Sequence, residues 1–250
     1  MISIDSLGKS FGEHPAVRIE RLEIPLRRTF AVIGPSGCGK STLLRLIMRL
    51  IKPETGTIQI NGLLMDDRSC RLLRQNIGYV IQEGGLFPHL TAGQNVALMA
   101  KRLGWPGERI RSRIEEIANL ADIRPEELRR YPAELSGGQR QRISLMRAIM
   151  LDPAIILLDE PLGALDPMIR TRLQNDLKRI FNQLKKTIIW VTHDMAEAAF
   201  FGHEIVLMKD GRVVQQGPLA QLLENPSDTF VTEFILAQRP PEELVRWQRR

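Results

Sequence analysis

Eight consecutive residues constrain this chain more than any other stretch: Gly34-Pro35-Ser36-Gly37-Cys38-Gly39-Lys40-Ser41 matches G-x-x-x-x-G-K-[ST]. The apolar run 30–33 in front of it reads as a strand, and Leu43, Leu44, Leu46, Ile47 and Leu50 behind it recur at helical spacing. Strand, glycine loop and helix in that order bring successive backbone N–H groups and a helix N-terminus onto one anion. Lys40 is then placed to contact the β- and γ-phosphates of a nucleotide, and Ser41 to ligate Mg²⁺. The expected ligands are a nucleoside triphosphate and Mg²⁺, the phosphates held by Gly34, Pro35, Ser36, Gly37, Cys38, Gly39, Lys40, Ser41 and the adjoining Thr42. Cys38, close to Lys40 and to the helix end, is expected to favour its thiolate and to react with alkylating agents.

A chain of 250 residues with 43% hydrophobic content can bury one large core. Short apolar runs at 30–33, 77–81, 154–158, 187–191 and 204–208 alternate with helical patterns. This predicts an α/β fold with a largely parallel sheet, its active groups beyond the carboxyl ends of the strands. After Gln82 the pattern turns helical, with Ile110, Ile114 and Ile117 at helical spacing, and predicts a helical lobe inserted into the sheet domain. Asn61-Gly62 and Asp210-Gly211, flanked by strand-like residues, predict hairpins. No apolar stretch approaches the roughly 18 residues of a membrane span, and the start of the chain lacks a signal-peptide pattern, so a cytosolic location is expected. Cys38 and Cys70 offer neither a disulfide framework nor metal-site spacing. The net charge of +6 is spread and interleaved with acids, as at Arg109, Arg111 and Arg113 ahead of Glu115 and Glu116. That is a solvated helix face, and nucleic acid is not an expected partner. Only the tail Arg246-Trp247-Gln248-Arg249-Arg250 concentrates charge.

The run 154–158 leads into Asp159-Glu160. Successive residues of an extended chain point to opposite sides, so the two carboxylates can serve different tasks: Asp159 for Mg²⁺, and Glu160 as general base for an attacking water. Leu135-Ser136-Gly137-Gly138-Gln139, ahead of a helical pattern at 139–149, is a second anion-binding helix start, with Ser136 a good N-cap.

With these motifs in this order the sequence resembles the ATP-binding cassette (ABC) family, from Met1 to about Phe234. The resemblance implies that Ser136, Gly137, Gly138 and Gln139 contact the γ-phosphate held by a second subunit, so a homodimer or paired ATPase subunit shares two ATP at its interface. It implies that Phe11, before Gly12, stacks on adenine. Gln82 would sense Mg²⁺ and the attacking water and lead into the helical lobe. Asp166, in Gly163-Ala164-Leu165-Asp166, would link the two sites, and His193, in Val191-Thr192-His193-Asp194, would be the switch histidine at the γ-phosphate. The implied catalytic residues are Glu160, His193 and Gln82, and the metal-binding residues Ser41, Gln82 and Asp159. His14, His89 and His203 are read as structural or surface residues. The implied fold is a P-loop NTPase core of ABC type, with a mostly parallel sheet, an N-terminal antiparallel β portion and an inserted helical subdomain. Its divisions are 1–82 with 154–218 as core, 83–153 as helical subdomain carrying the signature, and 219–250 as a C-terminal helical tail.

Met48-Arg49-Leu50-Ile51-Lys52-Pro53, Ile77-Gly78-Tyr79-Val80-Ile81-Gln82, Gly85-Leu86-Phe87-Pro88-His89 and Leu103-Gly104-Trp105-Pro106 are similar to the ATPases of bacterial importers for glycine betaine, choline and related quaternary amines. Glu83-Gly84 and Leu162 depart slightly from that branch, and no paired regulatory domains follow, so regulation through them is not expected. The branch implies transmembrane permease subunits as partners, a substrate-binding protein acting indirectly, and a peripheral position on the cytoplasmic face of a bacterial membrane. Coupling is expected through the segment after Gln82, with Gly84-Gly85 as hinge and Leu86, Phe87 and Leu90 as apolar surface. An exporter or lipid-transport ATPase, or a soluble ABC ATPase outside transport, remains the alternative.

Overall fold

A computed structural model describes residues 1–82, 84–163 and 165–238. Glu83, Ala164 and the chain from 239 onward, with the basic cluster at 246–250, lie outside the described residues. The strands are β1 (Ile2–Phe11), β2 (His14–Ile24), β3 (Thr29–Ile33), β4 (Thr55–Ile60), β5 (Leu63–Leu64), β6 (Ile77–Val80), β7 (Ile155–Asp159), β8 (Thr187–Val191), β9 (Glu204–Lys209) and β10 (Arg212–Gly217). Every residue of β3, β7 and β8 is buried. Strands covered on both faces need no polar alternation, so their apolar runs are continuous. They lie in a six-stranded sheet of order β10-β9-β3-β8-β7-β6, parallel except for the antiparallel edge strand β10.

The amino-terminal strands behave differently. Ile2, Ile4, Val17, Ile19, Leu22 and Ile24 are buried in alternation with polar neighbours, as half-covered strands require. They build a four-stranded antiparallel sheet of order β2-β1-β4-β5. Its apolar face packs against the parallel sheet and α1 (Lys40–Ile47), in a core shared by Ile4, Ile19, Leu43, Ile47, Phe30 and Leu157. The predicted hairpins are present at β4–β5 and β9–β10.

On the other face lie α3 (Ala92–Arg102), α4 (Gly107–Ala121), α5 (Gly137–Ile149) and α6 (Pro167–Leu184), which cover Ile156, Leu158 and Trp190. Trp190 is fully buried and stacks on Phe201 with ring centroids 4.1 Å apart. α7 (Met195–Phe201), α8 (Leu219–Glu224) and α9 (Thr229–Leu236) close a third cluster over Ala31, Ile33, Ile205 and Leu207. The remaining helix, α2 (Cys70–Gln75), precedes β6. No helix among the described residues is long and apolar enough to cross a membrane.

Three local expectations are corrected. Leu50 is not on the apolar face of α1: the helix ends at Ile47, Arg49 turns left-handed at φ 49°, and the Leu50 N–H returns to the Arg45 carbonyl at 2.8 Å. That closure leaves Leu50 53% exposed. Ile81 lies beyond β6 and is exposed, because the pairing with β7 stops at Val80 and Leu158. Ala154 precedes β7, and the strand runs on to include Asp159, which pairs with Val191.

Candidate functional site

Parallel register decides what meets. In the order β3-β8-β7-β6, Val32 pairs with Val191, Asp159 with Val191, and Val80 with Leu158. The loops after these strands therefore open on one edge, and they carry Gly34–Ser41, His193, Glu160 and Gln82.

The glycine loop is tightly enclosed. A Cβ at Gly39 (φ 103°) would stand 2.2 Å from the Ala16 carbonyl of β2, and one at Gly34 (φ 151°) 2.2 Å from the Met208 carbonyl of β9. Only glycine lets the loop pass this close to the carbonyls of two strands. Lys40 is 5% exposed, and its ammonium donates to the carbonyls of Gly34 at 2.8 Å and Pro35 at 2.9 Å. A buried cation needs such partners. Pro35, Ser36 and Gly37 are exposed at the crest of the loop, and Thr42 is partly buried in the first turn of α1.

Cys38 departs from expectation. It is 5% exposed, and burial pushes its thiol up, outweighing the Lys40 ammonium 3.8 Å from the sulfur. The expected thiolate is corrected to a protonated, packed thiol, because desolvation penalises the anion more than one neighbouring cation relieves it.

Ser41 Oγ donates to Asp159 Oδ1 at 2.9 Å, and the Tyr79 hydroxyl points at Oδ2 at 3.4 Å. Burial raises the Asp159 carboxyl, with the adjacent Glu160 charge pushing the same way and the Ser41 bond opposing. Burial and the Asp159 charge push Tyr79 up to about 12. Tyr79 is the phenol that fixes the second oxygen of Asp159, and the sequence reading gave it no such part. A serine hydroxyl beside a buried carboxylate is an all-oxygen donor pair, the kind that fits Mg²⁺ retaining most of its waters.

Glu160 takes a left-handed conformation, φ 45°, with its N–H on the Val191 carbonyl at 3.0 Å and the Gly163 N–H returning to its carbonyl at 3.2 Å. The chain turns away from the strand there and swings the carboxylate toward His193, whose Nδ1 lies 3.3 Å from Glu160 Oε2. A non-glycine residue held at positive φ stores strain of the kind that clusters at functional sites. The loop bearing His193 is held from below. Asp194 caps α7 by accepting from Ala196 N–H at 2.7 Å, and buried Glu197 accepts from Thr192 Oγ1 at 2.8 Å and Trp190 Nε1 at 3.3 Å. Asp166 caps α6 by accepting from Ile169 N–H at 3.0 Å, and Arg170 of that helix approaches Asp194 at 3.8 Å. The stretch carrying Asp166 is thus tied to the stretch carrying His193.

Ser136 caps α5 in a reciprocal box with Gln139: Gln139 N–H reaches Ser136 Oγ at 3.3 Å, and Ser136 N–H reaches Gln139 Oε1 at 2.8 Å. Gly137 packs by Leu165 and Gly138 by Ile169. Among the described residues no hydrogen bond joins 136–139 to 34–41. Phe11 ends β1, half exposed, with the Lys9 ammonium 5.5 Å over its ring. Gln82 is exposed just past β6.

The segment after Gln82 is pinned where a hinge was expected. Ser144 Oγ and Arg147 Nη2 of α5 donate to the Gly84 carbonyl at 2.7 and 2.8 Å, and Arg147 Nη1 donates to that of Gly85 at 2.7 Å. Asn95, fully buried on α3, accepts from Phe87 N–H at 2.8 Å and donates to the carbonyls of Phe87, Leu90 and Thr91 at 3.0–3.1 Å. Phe87 is left 44% exposed, while Leu86 packs into the helical cluster. No sequence pattern singled out Asn95, Ser144 or Arg147, because their partners are backbone carbonyls distant in the chain or ordinary loop atoms.

The profile of the ABC transporter family matches residues 19–163. The chain is 46% identical over 240 residues to the choline transport ATP-binding protein OpuBA of Bacillus subtilis (strain 168), covering 96% of this chain and 63% of that protein. It is 41% identical over 235 residues to the glycine betaine uptake system ATP-binding protein YehX of Escherichia coli (strain K12), covering 94% and 76%. The structure matches the ATP-binding cassette MJ0796, in a dimeric post-hydrolysis state bound to ADP and Pi, with a TM-score of 0.77 and 34% identity over 88% of this chain and 99% of that one. The chain spans about three fifths of the length of OpuBA. With a profile match over more than half its residues, and with relatives this similar over nearly all of it, the chain belongs to the ABC transporter family.

Proposed function

We propose that this chain is the ATP-hydrolysing subunit of an importer for a small quaternary amine such as choline or glycine betaine. The observation that carries the reading is the row of groups on one sheet edge: Lys40 in its loop, Ser41 on Asp159 at 2.9 Å, and Glu160 beside His193 at 3.3 Å. Glu160 takes the proton of a water as the water oxygen bonds to the γ-phosphorus and the bridging oxygen departs with ADP. Lys40 and the backbone N–H groups of Gly34 and of Ser36 to Ser41 hold the phosphates, Thr42 lies behind them, and His193 orients the γ-phosphate. Ser41, Asp159 and Gln82 would hold Mg²⁺, which when bound neutralises phosphate charge. Phe11 lies under the adenine.

Ser136, Gly137, Gly138 and Gln139 act on the nucleotide of a second copy or a paired subunit, and Asp166 links the two sites. The lack, among the described residues, of any hydrogen bond between 136–139 and 34–41 of one chain and the dimeric MJ0796 cassette support this. The divisions 1–82 with 154–218, 83–153 and the tail from 219 belong to the same proposal. Permease subunits dock at Phe87, on the cytoplasmic face of a bacterial membrane, and receive solute from a binding protein. Choline transport by the system of OpuBA and glycine betaine uptake by that of YehX support the solute class. The test is Mg-dependent phosphate release by the purified chain, then uptake of labelled choline and glycine betaine by vesicles carrying it with its permease. Phosphate release without uptake of either amine would leave the ATPase and remove the solute assignment.

A further inference from the structure

Glu127 lies in the 3₁₀ turn Glu127–Arg129, where no motif marks the sequence, yet it is 4% exposed. Its carboxylate accepts from Arg124 N–H at 2.7 Å, from the Arg124 guanidinium at 3.4 Å, and from Gln139 Nε2. Burial pushes the carboxyl up, but these donors outweigh it and the net direction is down.

The consequence reaches the Ser136–Gln139 turn through the asymmetry of an amide. The Gln139 side chain donates from Nε2 and accepts at Oε1. An ionised carboxylate can only accept, so Glu127 admits the single orientation that turns Nε2 toward itself. Oε1 is then directed at the Ser136 N–H, 2.8 Å away. Ser136 Oγ is occupied as acceptor by the Gln139 N–H at 3.3 Å, so its own proton is the part left to point out of the turn. We propose that Glu127 is a positioning residue for Ser136: acting through Gln139, it holds the serine hydroxyl as an outward donor for the phosphate of the second subunit. This rests on the proposal above that Ser136 to Gln139 act on the nucleotide of a second subunit.

Glu127→Gln keeps size and shape, but a carboxamide can meet Gln139 by either end. Both orientations of the Gln139 amide become possible, and Ser136 N–H loses its fixed partner. Glu134→Gln is the matched control: Glu134 accepts from Tyr131 N–H at 2.7 Å in the neighbouring turn and no bond joins it to Gln139.

Two measurements test the proposal, both with a thermal-unfolding check. In the nucleotide-free chain, the Gln139 side-chain amide protons should exchange slowly with water by ¹⁵N NMR, and about tenfold faster in Glu127→Gln. In a Glu160→Gln background at saturating Mg-ATP, Glu127→Gln should weaken dimerisation about tenfold by light scattering, with Mg-ATP affinity of the monomer unchanged and Glu134→Gln like the parent. Unchanged amide exchange overturns the lock whether or not the chain dimerises. Unchanged dimerisation in a parent that does dimerise overturns its role in closure. Equal weakening by Glu134→Gln, or a parallel loss of monomer ATP affinity, reduces the effect to general destabilisation and overturns it too. A parent that never dimerises with Mg-ATP removes the shared-nucleotide dimer itself, while the NMR result still judges the lock.

Discussion

Glu160 Oε2 and His193 Nδ1 stand 3.3 Å apart although 33 positions separate them in the chain, because β7 and β8 are parallel neighbours in register at Asp159 and Val191. Glu160→Gln keeps the size and one acceptor at that place and removes the proposed base. Steady-state phosphate release should fall by about 10² to 10⁴, the usual worth of a positioned base, while Mg-ATP binding survives and an ATP-bound dimer accumulates. Turnover within about threefold of wild type would sink the assignment.

The two thiols should react in the reverse of the order that motif proximity suggests. Cys38 is buried with its thiol pushed up, and Cys70 is partly exposed on α2. At pH 7 maleimide should label Cys70 first, and Cys70→Ser should leave a chain that labels at least about tenfold more slowly. Rapid labelling of that variant, blocked by ATP, would restore the reactive Cys38.

The loop at 87–91 separates stability from coupling. Asn95→Ala removes a buried side chain that makes four bonds to Phe87, Leu90 and Thr91, and should cost about 2–4 kcal/mol in urea unfolding. Phe87→Glu changes an exposed ring and should shift stability by no more than about 0.5 kcal/mol, yet abolish uptake in vesicles while ATP still binds. Normal uptake by Phe87→Glu would move the permease contact elsewhere.

Glu197 supplies a pH signature. Burial raises its carboxyl above the ordinary 4.5, Asp194 adds to this, and Thr192, Trp190 and Arg170 oppose it. The folded chain therefore holds that proton more tightly than the unfolded chain. Stability from this group falls as pH rises from the ordinary value through the folded one, and is flat beyond. Glu197→Gln can still accept from Thr192 and Trp190 through its carboxamide oxygen and carries no charge to bury. Its stability relative to wild type should rise with pH across that window in urea titrations. Parallel curves would show that Glu197 pays no burial penalty.

Contiguous motifs were legible without coordinates because their chemistry is local. Gly34 to Ser41, Asp159-Glu160 and Ser136 to Gln139 each combine a backbone shape with the residue types that only such a shape explains, and apolar runs such as 187–191 show a strand buried on both faces. Those short-range signals carried the α/β class, the order of elements and the residues proposed to hold nucleotide. What tertiary structure alone decided is what lies beside what and how dry it is. The approach of Glu160 to His193, the Tyr79 hydroxyl on Asp159, the protonated state of Cys38, the pinning of Gly84 and Gly85 by α5, and the Glu127 contact to Gln139 all join positions far apart in sequence or depend on desolvation. Neither parallel register nor burial is written in any short window of residues; both emerge only when the two sheets and the helices close on one another.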